Sequence, residues 1–177
     1  RVGAGRFGGA KIAMVAAGSL HSIAVTTEGA VWTFGLGAHG ALGLNSEENR
    51  DVPSQIDGKV FRGSPVVMVA AGTDYSVAVT AEGVLFSWGK GEYGQLGLGN
   101  TDNRLTPTCV GGREVFGGSP VRMAACRVYH TLAVTEEGGL WSWGDGAFGA
   151  LGHSNRIQRL IPTRVDPQHF DGAKIVT

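Results

Sequence analysis

The residues whose types and spacing could do chemistry are the glycines of "FGLGAHGALG", residues 34–43. Gly35, Gly37 and Gly40 stand at the G-x-G-x-x-G spacing of a dinucleotide-binding loop. Such a loop works when a strand delivers the glycines and a helix opens behind them, so that backbone N–H groups face a pyrophosphate. The strand is available in "GAVWTF". The helix is not: Gly43, Asn45, Asn49 and Pro53 follow in quick succession, and no amphipathic helix of ordinary length starts there.

The same spelling returns twice. "WGKGEYGQLGL" covers residues 88–98 and "WGDGAFGALGH" covers 143–153, giving Gly89/Gly91/Gly94 and Gly144/Gly146/Gly149. A cofactor loop is used once per nucleotide domain, whereas a structural turn is used once per repeat. Gly35, Gly40, Gly89, Gly94, Gly144 and Gly149 are therefore read as turn glycines, and no cofactor is expected. Other chemistry is equally absent from the spelling. No nucleophile elbow, phosphate loop or zinc pattern occurs, so no catalytic residue and no metal ligand is assigned. Cys109 and Cys126 share no metal-type spacing and read as free thiols. His153 and His169 follow no metal-ligand spacing either, and His39 shares the slot of Tyr93 and Phe148. Glu28, Glu82 and Glu137 recur in the same turn and are turn residues. His21 and His130 recur at the start of a strand, where a hydrogen bond to backbone within the blade is expected.

The elements that would carry these residues follow from the repeat. Met14, Met68 and Met123, Pro53, Pro107 and Pro162, and Phe7, Phe61, Phe116 and Phe170 all keep steps of 54 or 55 residues. Within one step the pattern is that of strands. "KIAMVAAG" is a first strand and "HSIAVTT" a second. "TTEG", "TAEG" and "TEEG" are hairpin turns with glycine free to take positive φ. In the third strand Trp32/Phe34, Phe86/Trp88 and Trp141/Trp143 lie two apart on one face, with Thr33, Ser87 and Ser142 on the other. Around each Pro lies an outer strand, where a missing N–H is tolerated. Four short antiparallel strands per step is the content of a propeller blade.

With these residues in place, the chain resembles the RCC1 repeat family, from the regulator of chromosome condensation. The carrying segments are "AAGSLHSIAVTTEGAVWTFGLGAHGALGL", "AAGTDYSVAVTAEGVLFSWGKGEYGQLGL" and "ACRVYHTLAVTEEGGLWSWGDGAFGALGH". The resemblance implies an all-β fold, a partial β-propeller of about three four-stranded antiparallel blades, with repeats at about 11–64, 65–119 and 120–173. Complete propellers hold roughly four to eight blades. The 177 residues are thus expected to be a fragment of a longer propeller, prone to self-association through its uncovered blades. Trp88 and Trp143 are expected in the core.

Two functional classes follow from the resemblance. The first is a non-catalytic protein–protein interaction module within a larger protein. The alternative is a guanine-nucleotide exchange factor for a Ran-type small GTPase, the activity of the founding member. That activity is helped by an inserted wedge hairpin, and no insertion is visible in three repeats of nearly equal length. The ultraviolet-photoreceptor branch carries Trp where this chain has Ser19, Thr73 and Val128, which argues against light sensing. The partner is expected to be another protein, and two cysteines, too few for a secreted disulfide framework, lead to the expectation of an intracellular setting, cytoplasmic or nuclear. Fifteen basic residues balance fifteen acidic ones, which argues against nucleic acid. No apolar run is long enough to span a membrane.

Function in repeat propellers lives where the blades differ. Glu47, Glu48, Asp74 and Asp102 are expected to make the rim acidic in two repeats. Arg127, Arg156 and Arg159 make it basic in the third, with Tyr129 beside them. Arg127 stands where Gly18 and Gly72 stand, and Tyr75 where His21 and His130 stand.

Overall fold

The structure, a computed structural model, describes residues 7–171 and 173. Twelve strands form three antiparallel sheets. The first holds β1 (Ile12–Ala17), β2 (His21–Thr26), β3 (Val31–Gly35) and β4 (Arg50–Gln55). The second holds β5 (Val66–Ala71), β6 (Tyr75–Thr80), β7 (Leu85–Gly89) and β8 (Arg104–Cys109). The third holds β9 (Val121–Cys126), β10 (His130–Thr135), β11 (Leu140–Gly144) and β12 (Arg159–Arg164). Strands pair in chain order, and β5 lies between β1 and β9, so the three sheets are blades with their first strands innermost. The Pro-containing strands β4, β8 and β12 are the outer edges, as their missing N–H requires.

Burial grows from the ends of the array toward its middle. Every residue of β6 and β7 is buried, because both faces of the second blade are covered. The two cores lie between blades. Between the first and second, Ile23, Val25, Val31 and Ile56 meet Phe61, Val66, Phe86 and Trp88. Between the second and third, Val77, Val79, Leu85 and Leu96 meet Phe116, Val121 and Trp143. One blade alone cannot bury its faces, and stacking supplies the missing partner.

Each junction is closed by the same bonds. The Trp88 indole N–H donates to the Ala41 carbonyl at 3.0 Å, and Trp143 donates to Gln95 at 2.9 Å. The Asn45 N–H reaches the Leu105 carbonyl on the next outer strand, and Gly99 reaches Leu160, both at 2.9 Å. Within each blade the Thr33, Ser87 and Ser142 hydroxyls donate to Leu42, Leu96 and Leu151, at 2.8, 2.7 and 2.7 Å. These bonds pin the glycine loop to the third strand.

The glycines are structural for two separate reasons. Gly35, Gly89 and Gly144 take φ near 100°, which side chains rarely adopt. The middle glycines Gly37 and Gly91 instead lie where a Cβ would sit 2.1 Å from a carbonyl of the returning loop.

Candidate functional site

Each blade has two ends. At one end lie the tight hairpin turns bearing Glu28, Glu82, Glu136 and Glu137. At the other lie the β1–β2, β5–β6 and β9–β10 turns together with the long glycine loops, because the Leu36, Lys90 and Asp145 N–H groups bond the Leu20, Asp74 and Tyr129 carbonyls. All six rim residues singled out from sequence, Glu47, Glu48, Asp74, Asp102, Arg127 and Tyr129, belong to this second end, the turn rim.

The rim is not divided into an acidic and a basic half as sharply as the sequence suggests. Glu48 pairs with Arg50 at 2.9 Å and Asp102 with Arg104 at 3.5 Å, so these carboxylates are already matched inside their own loops. Arg159 donates instead to the Asn155 side chain at 3.4 Å. Glu47 is exposed and Asp74 is half-buried.

Tyr129 is the centre of a cluster that crosses from the second blade to the third. Its ring stacks on Tyr93 at 4.3 Å between centroids, and the Lys90 ammonium lies 5.9 and 5.8 Å from the two rings. Glu92 holds Lys90 at 2.9 Å, and this bond is the main reason the Lys90 ammonium titrates above its ordinary range. Gln95, fully buried, accepts the Tyr93 N–H at 2.8 Å and so fixes the ring's position. Lys90, Tyr93 and Gln95 were not singled out from sequence. Their signal is that each breaks its own repeat position, against Leu36/Asp145, His39/Phe148 and Ala41/Ala150.

The histidine slot behaves differently from the expectation. His21 does not bond backbone within its blade: its Nε2 meets the Ser76 hydroxyl of the next blade at 2.9 Å. Tyr75, in the same slot, donates to the His130 carbonyl and accepts from Thr131, again one blade on. Burial is the main reason the His21 imidazole lies below its ordinary value, partly opposed by Asp74. His130 is lowered for the same reason, with Asp145 opposing and Arg127 reinforcing. Ring insertion also explains the glycine that precedes each turn. A Cβ at Gly18 would lie 2.2 Å from the His21 ring, and one at Gly72 would lie 1.9 Å from Tyr75. At Arg127 the turn still closes, its N–H donating to the His130 carbonyl at 3.2 Å, while His130 is half-exposed.

Where the three turns converge lies an open depression of about 260 Å³, lined by Gly18, Ser19, Gly72, Thr73, Arg127 and Val128 among others. Cys126 borders it, but loss of water pushes its thiol up to about 12, far from a reactive thiolate. Cys109 and Cys126 are both free. Among the described residues no three His, Cys, Asp or Glu side chains gather as a metal site, and no helix is long and apolar enough to cross a membrane.

Repeated blades, inter-blade bonds and a variable rim define the class of a repeat propeller. The sequence model described as the regulator of chromosome condensation (RCC1) repeat matches residues 28–79, 82–134 and 137–177. This chain belongs to the RCC1 repeat family. Each complete match starts at a hairpin turn and ends in the second strand of the following sheet, straddling a junction. The ultraviolet-B receptor UVR8 of Arabidopsis thaliana is 40% identical over 158 residues, covering 89% of this chain and 35% of that protein. The crystal structure of human WBSCR16 superposes with a TM-score of 0.81 and 32% identity, over 92% of this chain and 39% of that one. Yeast RCC1 (Prp20), in a crystal structure with bound Kap60, superposes with a TM-score of 0.75 and 25% identity, over 91% and 38%. The chain thus spans little more than a third of each of these relatives.

Proposed function

We propose that this chain is a non-catalytic protein–protein interaction module, part of a larger propeller protein, and that the turn rim is its binding face. One observation carries the reading. Trp88, Trp143 and the third-strand hydroxyls, which repeat from blade to blade, are occupied in bonds between or within blades, whereas Lys90, Tyr93, Asp74, Arg127 and Tyr129 break the repeat and share one rim. Aromatic rings fixed by packing and bordered by charge are the usual anchors of protein interfaces. The similarity to yeast RCC1, solved with Kap60 bound, supports a protein as the partner.

The test is capture of partners on the immobilised chain, with retention compared between wild type and a Glu47→Lys/Glu48→Lys variant, alongside release of a fluorescent GDP analogue from a Ran-type GTPase. The module reading expects partners whose retention falls on charge reversal, and no acceleration of GDP release. Accelerated release would favour the exchange-factor alternative. Partners whose retention is indifferent to the charge reversal would overturn the assignment of this face.

A further inference from the structure

We infer that the depression at the centre of the turn rim receives a carboxylate side chain of a protein partner, anchored by Arg127. This rests on the interaction-module reading and supplies the partner chemistry which that reading leaves open. Two of the three turns facing the depression carry glycine because an inserted ring leaves no room for a Cβ. The third carries Arg127, which is exposed and, among the described residues, has no carboxylate partner for its guanidinium. The other polar side chains at the depression are the Ser19 and Thr73 hydroxyls. Neither has a hydrogen-bond partner within the described protein, although the Ser19 N–H itself reaches the Thr73 carbonyl at 3.3 Å. A planar cation beside two uncommitted hydroxyls offers hydrogen-bond donors around one positive charge, and a carboxylate matches that set in charge and fork geometry.

The border of the depression fits a protein segment better than a polyanion. Leu20 is 67% exposed and Val128 44%, so an apolar side chain next to the carboxylate has a surface to cover. Asp74 follows Thr73 directly and Glu47 stands exposed on the same rim, and both repel an extended phosphate chain. One negative charge can approach Arg127; a run of them meets Asp74 and Glu47.

The experiment uses the 177-residue chain and synthetic peptides of about a dozen residues, each with Leu beside a central Asp, Glu, Asn, Gln or phosphoserine, read by fluorescence polarisation. Asp and Glu peptides are expected to bind, with the Asn and Gln counterparts about tenfold weaker. Arg127→Gly installs the residue that the other two turns already carry and should fold. It is expected to lower binding of the Asp peptide about tenfold and to abolish the Asp-over-Asn preference, while Glu28→Gln on the opposite rim leaves both unchanged. Binding that ignores the Asn exchange, survives Arg127→Gly or prefers phosphoserine overturns the inference. Peptides that bind independently of Arg127 leave the module reading standing; no binding by any peptide sinks only the carboxylate assignment, since the capture experiment judges the module separately.

Discussion

Gly72 and Arg127 occupy the same slot in successive blades under opposite constraints. At Gly72 the Tyr75 ring, fully buried and bonded to the third blade, lies where a Cβ would be. Because that ring cannot retreat, Gly72→Ala should cost about 2 kcal/mol, as overpacking of a rigid site does. Arg127→Gly should change stability by less than about 0.5 kcal/mol, as exposed substitutions do. Urea denaturation of the two variants separates these outcomes, and equal effects would contradict the ring-insertion account. The His21 imidazole makes a second prediction at this scale. Burial favours its neutral form, so its folded value lies below the ordinary 6.5. Above 6.5 both folded and unfolded chains hold a neutral ring and stability is full. As pH falls below 6.5 the unfolded chain takes up a proton first, and stability declines toward the depressed folded value. The urea midpoint should therefore drop between pH 7.5 and 5.5, and His21→Gln should shrink that drop, leaving the shares of His130 and His153, which burial lowers likewise. An unchanged slope in the variant would remove His21 from the argument.

At the scale of elements, the junction between blades is a small set of shared acceptors. The Ala41 carbonyl takes both the Trp88 indole N–H and the Ser76 hydroxyl, each at 3.0 Å. Ser76→Ala or Trp88→Phe leaves it one donor, while the double variant strips it of both. Loss of the pair should exceed the sum of the single losses by about 1 kcal/mol, the cost of an orphaned buried acceptor. Simple additivity would mean that the two donors do not share a role. The strands, the Pro-bearing edges, the hairpin turns and the structural use of the glycines were legible in the sequence, because alternation and turn chemistry are local. What the sequence concealed was which blade each repeated side chain serves. His21 and Ser76 are 55 residues apart, one repeat, and a period alone does not distinguish a bond within a blade from the same bond to its neighbour. The Lys90–Tyr93–Tyr129 cluster was hidden for the complementary reason: its members come from two loops, and only folding brings them together. The internal pairing of Glu48 and Asp102 with Arg50 and Arg104 likewise depends on loop geometry.

For the whole molecule, the third blade leaves one face uncovered among the described residues. Tyr93 stacks on the following blade, whereas Phe148, in the same slot of the third blade, is 94% exposed. A Cβ at Gly40 or Gly94 would strike the next outer strand, while one at Gly149 would meet nothing within 4 Å. Apolar faces built to be covered promote association. Size-exclusion chromatography with light scattering should accordingly find the 177-residue chain as a dimer or larger species, shifting toward monomer when Phe148 is replaced by Ser. A monomer at every concentration would contradict this.

The central claim is that partners meet the turn rim and not the hairpin end. Site-specific photo-cross-linking tests it directly, with a photoreactive side chain placed in turn at Tyr129, Thr73 and Glu47 on the turn rim and at Glu28 and Glu137 on the opposite end. The account predicts discrete partner adducts from the first group and none above background from the second. Adducts concentrated at Glu28 and Glu137 would place the binding face at the wrong end of the blades.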